Sequence, residues 1–432
     1  MWILGGLVQV VLLGLFYLPQ AKVPLGDERM YLRAALAVGE TGSSGLDLLW
    51  PPAYAWFLAP LVAVSGGSIW LSQAVQVGCL FLAAWFVREL VRRALDDETM
   101  ANLCALLVVS YPPMAAYAHY LWPEMVHLAL ALSALWILVS FGPRTLPTVG
   151  AGVILGICLQ LKVLLLPLLP ILLVALWRLW RSRPRPRLVA LASLVAAIVL
   201  TVLPTTRAHQ RDFGRSVLAN SGTFNVWLGL NGALRSEFGT AIVADEYRRY
   251  ARSARSVERR DAMLESRILE FIDERGVWTV LVDQVSRQYF RLFDKDSFLT
   301  HQLEGGRIFE RGDGYRSGKS VVAHLVRWSS HALWALVLTA AGLGFVLFPY
   351  RRQPVGWWIL GLLAAQAALL LVLHVKTRYR IPMLPELFFF ASWATVFVWR
   401  AARGGDRAGL GPYRWAGGAL AAATLLFLAF GG

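Results

Sequence analysis

WPPAYAWFLAPLVAVSG, residues Trp50–Gly66, is apolar nearly throughout, yet it is too short to cross a bilayer. Its helical part from Pro52 runs for about fourteen residues, whereas about twenty are needed to traverse about 30 Å of hydrocarbon. Pro51-Pro52 opens the stretch and Pro60 interrupts it. Reading it as a helix lying in the membrane interface decides the path of everything downstream, because only then do Arg88, Arg92 and Arg93 fall on the same side as the later arginine clusters. The first loop, residues 19–68, accordingly carries two interfacial helices: this one and a shorter one over 27–38.

Working outward, composition sets the class. Hydrophobic residues make up 57% of the chain and charged residues 16%, and the mean hydropathy is +0.54. These values belong to a polytopic membrane protein and not to a globular one. The net charge of +15 would suggest nucleic acid in a soluble protein, but its distribution excludes that partner. Arginines gather at 88–93, at Arg144, at 178–187, at 351–352 and at 400–414, the pattern expected of cytoplasmic loops. Threading apolar runs between them gives about eleven crossings: 2–18, 69–87, 99–117, 123–141, 148–161, 163–177, 188–204, 322–348, 355–374, 382–399 and 415–431. The N-terminus is then cytoplasmic and the C-terminus outside. The first run has no basic flank and no small-residue cleavage site, so it reads as a retained anchor. Cys79, Cys104 and Cys158 all lie in apolar runs, and no disulfide framework or thiolate metal site follows from them.

The organisation is therefore all-α: a transmembrane module over 1–204, an external helical domain over 205–320, and a second transmembrane module over 321–432. Within the external part, Glu246–Arg275 predicts one helix, and the Gly- and Arg-rich 305–318 a gating loop. Gly312-x-Gly314 and Gly318-Lys319-Ser320 lack phosphate-loop spacing and a preceding strand, which disfavours a nucleotide.

Polar residues on the outer side supply the candidate chemistry. Asp27 and Glu28 stand about nine residues beyond the first span, at the start of a helix whose N-terminus favours negative charge. Capping is the plain alternative. His119 and Glu124 occupy the external turn HYLWPE, residues 119–124; each has an equally plain reading, as a turn residue and a cap. Lys162 is the lone charge of a long apolar stretch and must find an anion or snorkel. Lys162 aside, the spans read as free of ionisable residues. The turn HVKTRYRIP, residues 374–382, places Lys376, Arg378 and Arg380 outside, against the positive-inside rule. Forked guanidinium donors suit phosphate oxygens, so Arg378 or Arg380 is expected to hold one.

Taken together, these motifs resemble the GT-C superfamily, and within it the glycosyltransferase 39-like branch of protein O-mannosyltransferases and the lipid A aminoarabinose transferase. The carriers are Asp27-Glu28-x-x-Tyr31, Trp50-Pro51-Pro52-Ala53-Tyr54, Trp122-Pro123-Glu124, Gly156 to Lys162 before Pro167, Asn225 to Asn231, and Lys376 to Pro385. Trp50 stands where the aminoarabinose branch has a lysine, and Glu124 where relatives commonly have aspartate. The resemblance implies a multi-pass enzyme of the inner membrane with its active site facing outside. It would move a sugar from a polyprenyl-phosphate donor to a hydroxyl of an envelope glycan, lipid or protein acceptor, with inversion. Asp27 would be the general base and Glu28 its positioning partner. Tyr31, His119, Glu124, Lys162, Asn231, Lys376, Arg378, Tyr379 and Arg380 would bind substrate. No metal is required by this reading, although Asp27, Glu28 and Glu124 offer oxygens for a divalent ion. The competing classes are a flippase or transporter of lipid-linked sugars and a noncatalytic binder. A transporter calls for charged or broken helices at mid-membrane, which this reading does not find.

Overall fold

The computed structural model describes residues 1–16, 24, 26–46, 48–230, 240–253, 256–289, 292–293, 299, 321–371, 373 and 377–403. Among the described residues the regular elements are helical. Among the described residues, five helical segments are long and apolar enough to cross a membrane: Trp70–Leu95, Glu124–Phe141, Pro184–Phe213, His324–Leu347 and Thr377–Arg403. Shorter apolar helices cover Trp2–Gly14, Ala53–Val64, Glu98–Ser110, Thr145–Leu161, Val163–Leu179 and Val355–Leu370. The expected last span, 415–431, and the 305–318 loop lie outside the described residues.

In chain order the first helices are α1 (Trp2–Phe16), α2 (Asp27–Thr41), α3 (Ala53–Val64), α4 (Trp70–Leu95), α5 (Glu98–Ser110), α6 (Pro112–Tyr117), α7 (Glu124–Phe141) and α8 (Thr145–Leu161). The run expected to cross at 99–117 is two helices. Tyr111 is extended, at φ −67° and ψ 110°, as the residue before a proline must be. α8 ends at Lys162, which is also extended, and a 3₁₀ turn over Val163–Leu168 leads into α9 (Leu169–Leu179).

α10 (Pro184–Phe213) is 30 residues long, about 45 Å at helical rise and longer than the hydrocarbon layer. It continues without a break past residue 204. Its contact with α8 is close because two glycines, one turn apart, let the backbones approach. A methyl added to Gly152 would lie 2.7 Å from Ala197 Cβ, and one on Gly156 would lie 2.6 Å from Thr201 Cβ. Gln160 completes the seam, donating to the Thr201 carbonyl at 3.1 Å and accepting from the Thr205 hydroxyl at 2.5 Å. This seam fixes the end of α8, and with it Lys162.

Helices α11 (Ser221–Leu230), α12 (Thr240–Ser253), α13 (Val257–Arg275) and α14 (Val277–Asp283) follow. The single helix expected over 246–275 is two, since Ser256 starts α13 as an N-cap that accepts from the Arg259 N–H at 3.3 Å. Buried Asp261 ties these elements together. It accepts from the Tyr250 hydroxyl at 2.6 Å and from the Asn220 amide, while the Asn220 N–H reaches the Leu48 carbonyl at 2.7 Å. A small core of Leu49, Phe224, Leu228, Tyr250 and Leu264 packs around this junction.

The chain returns with α15 (Val321–Leu347) and α16 (Val355–Leu370), then a 3₁₀ turn over Thr377–Met383 that runs into α17 (Leu384–Arg403). The main core gathers α4, α5, α6, α15 and α17 around Leu80, Met100, Tyr111, Trp334 and Phe388. α2 and α3 pack on each other through Tyr31, Ala35, Tyr54 and Leu58, with Leu121 and Leu161 beneath them. Their buried residues recur every three to four positions, so each helix has one inward face.

Candidate active site

Gly26, at φ 50°, turns the chain into α2 and places Asp27 and Glu28 in its first turn. The two carboxylates part at once. Glu28 is fully buried, and its Oε1 accepts the Leu121 N–H at 2.8 Å, so it fastens α2 to the 119–124 turn. Asp27 faces the other way and accepts a charge-assisted hydrogen bond from Arg378 Nη2, across 351 residues of sequence.

Around that pair a four-charge cluster closes. Arg378 Nε lies 3.6 Å from Glu124 Oε1, and Lys162 Nζ donates to the same oxygen at 3.1 Å. The second Glu124 oxygen is buried and has no hydrogen-bond partner among the described residues. Aromatic rings wall the cations. Arg378 sits over Trp122 at 4.6 Å and Tyr379 at 5.6 Å, and Lys162 over Tyr379 at 5.1 Å. Tyr31, one turn along from Asp27, packs edge-on against Tyr54 at 4.9 Å. Burial, then the Asp27 and Glu124 charges, push its phenol above the ordinary range, which keeps it a donor. Burial pulls the Lys162 ammonium below its ordinary value, against the attraction of Glu124.

Beneath the cluster is a scaffold that sequence reading missed. On α4, Gln76 is fully buried and makes three bonds, accepting from the Tyr54 hydroxyl at 2.8 Å and donating to the carbonyls of Ala118 at 3.2 Å and Tyr120 at 2.8 Å. Gln73, one turn earlier, donates to the His119 carbonyl at 2.9 Å. The His119 ring meets Gln9 of α1 at 2.7 Å. These bonds brace the 117–122 turn, from which Trp122 stacks on Arg378. Glutamine in an apolar helix has no partner visible in sequence; only its spacing of three hinted that one face is shared.

The structure thus brings Asp27, Tyr31, Glu124, Lys162, Arg378 and Tyr379 together. Glu28 and His119 are buried as braces of the turn. Arg380 lies against the Trp334 ring at 4.3 Å and donates to the Leu292 carbonyl at 3.3 Å. Lys376 and Asn231 lie outside the described residues. The spans are not free of other ionisable groups, contrary to expectation. His127 is buried on α7, and Glu386 on α17 accepts from the Gln366 amide at 2.9 Å. Among the described residues no group of three or more His, Cys, Asp or Glu is placed to hold a metal ion. Asp27 and Glu124 are matched to two cations, and Glu28 to a backbone N–H.

The comparisons with known proteins bear on this geometry. Residues 50–204 match the family model described as dolichyl-phosphate-mannose-protein mannosyltransferase. That family is of the GT-C superfamily, so the resemblance read from the motifs is borne out over this stretch. The matched segment includes Glu124 and Lys162, while Asp27 and Arg378 flank it in sequence. No curated protein and no solved structure matches the chain. The apolar helices make this a multi-pass membrane protein, and its segment 50–204 is similar to a glycosyltransferase family.

Proposed function

We propose that the protein is an integral inner-membrane glycosyltransferase, its N-terminus cytoplasmic, that uses a polyprenyl-phosphate sugar on the outer face of the membrane. The observation that carries this reading is the contact between Asp27 and Arg378 within a buried cluster that also holds Glu124 and Lys162. Gathering four charges where two are buried and two half-buried is expensive, and a displacement that creates a proton at one end and a phosphate anion at the other has use for both signs.

In this mechanism the donor phosphate docks on Arg378 and Lys162, with the Tyr31 and Tyr379 hydroxyls nearby as neutral donors. Phosphate takes over the guanidinium that Asp27 holds, and the freed carboxylate becomes the base. The acceptor hydroxyl gives its proton to Asp27 as its oxygen attacks the anomeric carbon, and the bond from that carbon to the phosphate oxygen breaks with its electron pair on the phosphate. Attack opposite the phosphate inverts the anomeric centre. Glu124 keeps Lys162 and Arg378 in register. The helices over 221–283 form part of an extracytoplasmic domain that holds the first loop through Asn220 and Leu48. The acceptor is a hydroxyl on an envelope glycan, lipid or protein.

The test is to supply purified protein in nanodiscs with a panel of polyprenyl-phosphate sugars and an acceptor extract, and to assay release of free polyprenyl phosphate. Release by the wild type and its loss in Asp27→Asn are expected. If wild type binds the donors and consumes none, the enzyme reading is wrong and a carrier or noncatalytic binder replaces it.

A further inference from the structure

α14 and the turn after it carry an apolar face that no protein segment covers among the described residues. Trp278 is 80% exposed, Val282 67% and Val285 46%. Positions 278, 282 and 285 recur at helical spacing, so they form one stripe, and neighbouring Val277 widens it. Val280 and Gln284 are buried and make the opposite, inward face. A single exposed valine is unremarkable, but an exposed tryptophan aligned with two valines is a surface that water does not favour.

The occupant is indicated by where the chain goes next. Within ten residues of Asp283 it is pinned to the membrane helices at two adjacent carbonyls: Leu292 accepts from Arg380, and Phe293 accepts from the Trp334 indole N–H at 2.8 Å. Trp334 belongs to the candidate span His324–Leu347. About 9 Å further toward the N-terminal end of that helix stands Trp328, exposed with Leu325 and Val321, as lipid-facing residues at the rim of a span would be. Arg275, the last residue of α13, stacks on Phe271 at 4.9 Å and pairs with Asp283 at 3.7 Å, which sets a guanidinium beside the stripe. Tryptophan flanked by arginine on a short helix suits the headgroup region, where the ring has an apolar body and a polar edge.

We propose that the Trp278–Val282–Val285 face lies in the outer lipid interface and anchors the extracytoplasmic helices to the membrane beside the Arg380 segment. The inference rests on the membrane orientation proposed above, and on neither the donor nor the chemistry.

The experiment uses full-length protein in phospholipid nanodiscs, with native cysteines replaced by serine and a spin label placed in turn by Trp278→Cys, Val282→Cys and, as an exposed polar control on α13, Ser266→Cys. Collision with oxygen, which partitions into lipid, is compared with collision with a water-soluble nickel chelate. A severalfold higher oxygen-to-nickel ratio at 278 and 282 than at 266 is expected. Nickel access at 278 equal to that at 266 overturns the proposal, because the stripe then faces water. Shielding from both agents also overturns it, because protein, whether a second copy or another segment of this chain, is then the occupant. Because no turnover is read, failure here is distinguishable from failure of the glycosyltransferase reading, which the donor assay tests.

Discussion

Two arginine–carboxylate clusters sit near opposite ends of the bundle, and they are built in opposite ways. At one end, Arg88 pairs with Glu89 at 2.6 Å and Glu98 at 2.7 Å, and Arg400 grips Asp97 at 2.7 Å. Most of those partners are near neighbours in sequence, and Glu98 and Arg400 are 58% and 52% exposed. At the other end, Arg378 and Glu124 are 8% and 3% exposed, and the cluster is drawn from four separate elements. Exposed pairs contribute about 0–1 kcal/mol and mark the side of the membrane. Buried ones lose several kcal/mol of hydration per ion, which chemistry justifies more readily than stability does. On the proposed function, one end would orient the protein and the other would be where it acts.

The largest contrast should come from activity. Asp27→Asn should reduce turnover by about 10²- to 10⁴-fold, the range for loss of a general base, with the unfolding temperature little changed. Asp97→Asn should leave turnover alone. Comparable losses of polyprenyl phosphate release in the two variants would erase the distinction between the clusters.

Stability offers the next contrast. Arg378→Gln removes the guanidinium that Asp27 and Glu124 share and should destabilise by about 3–5 kcal/mol, while abolishing binding of a short-chain polyprenyl phosphate. Arg400→Gln should cost at most about 1 kcal/mol. Thermal unfolding in detergent gives the first number and ligand titration the second. An Arg378→Gln protein that still binds the phosphate would remove the anion site from this mechanism.

Much of the active cluster was legible in the sequence because charge is conspicuous in an apolar chain. Lys162 stands alone between two apolar runs, and the 376–380 cations break the positive-inside rule. Which of those cations would face Asp27 was not legible. Arg378 and Arg380 are two residues apart, and the 3₁₀ turn over Thr377–Met383 turns one into the cluster and the other onto Trp334. The fold class was legible from hydropathy, but breaks at Tyr111 and Ser256 depended on single capping and pre-proline residues within otherwise helical runs. Gln73 and Gln76 were invisible for a different reason: their partners are backbone carbonyls, which every residue possesses.

Those glutamines sharpen the comparison further. If the active end depends on geometry, removing the brace should affect chemistry more than binding. Gln76→Leu takes the acceptor from the Tyr54 hydroxyl and the amide donor from the Ala118 and Tyr120 carbonyls, a loss of about 1–3 kcal/mol, and should lower kcat about tenfold with KM nearly constant. Gln76→Glu, which keeps an acceptor for Tyr54, should recover part of the rate. Equal losses in both variants, in step with the folded fraction, would reduce Gln76 to a packing residue.

The smallest effect belongs to the opposite end and depends on pH. Burial alone would raise Asp97, but its hydrogen bonds from Arg400 and the Met100 N–H hold its carboxyl below the ordinary range. A depressed carboxyl contributes stability that is complete above its unfolded value, about 3.9, and that is lost as the pH falls through its folded value. Asp97→Asn preserves a helix cap, so the difference between it and the wild type isolates the Arg400 pair. That difference should be no more than about 1 kcal/mol at pH 7 and should close as the pH is lowered below about 4. Unfolding midpoints of the two proteins across that range provide the check. A gap that persists in acid would mean that Asp97 acts through packing rather than charge, and the exposed end of the molecule would then resemble its buried end more closely than its ion pairs suggest.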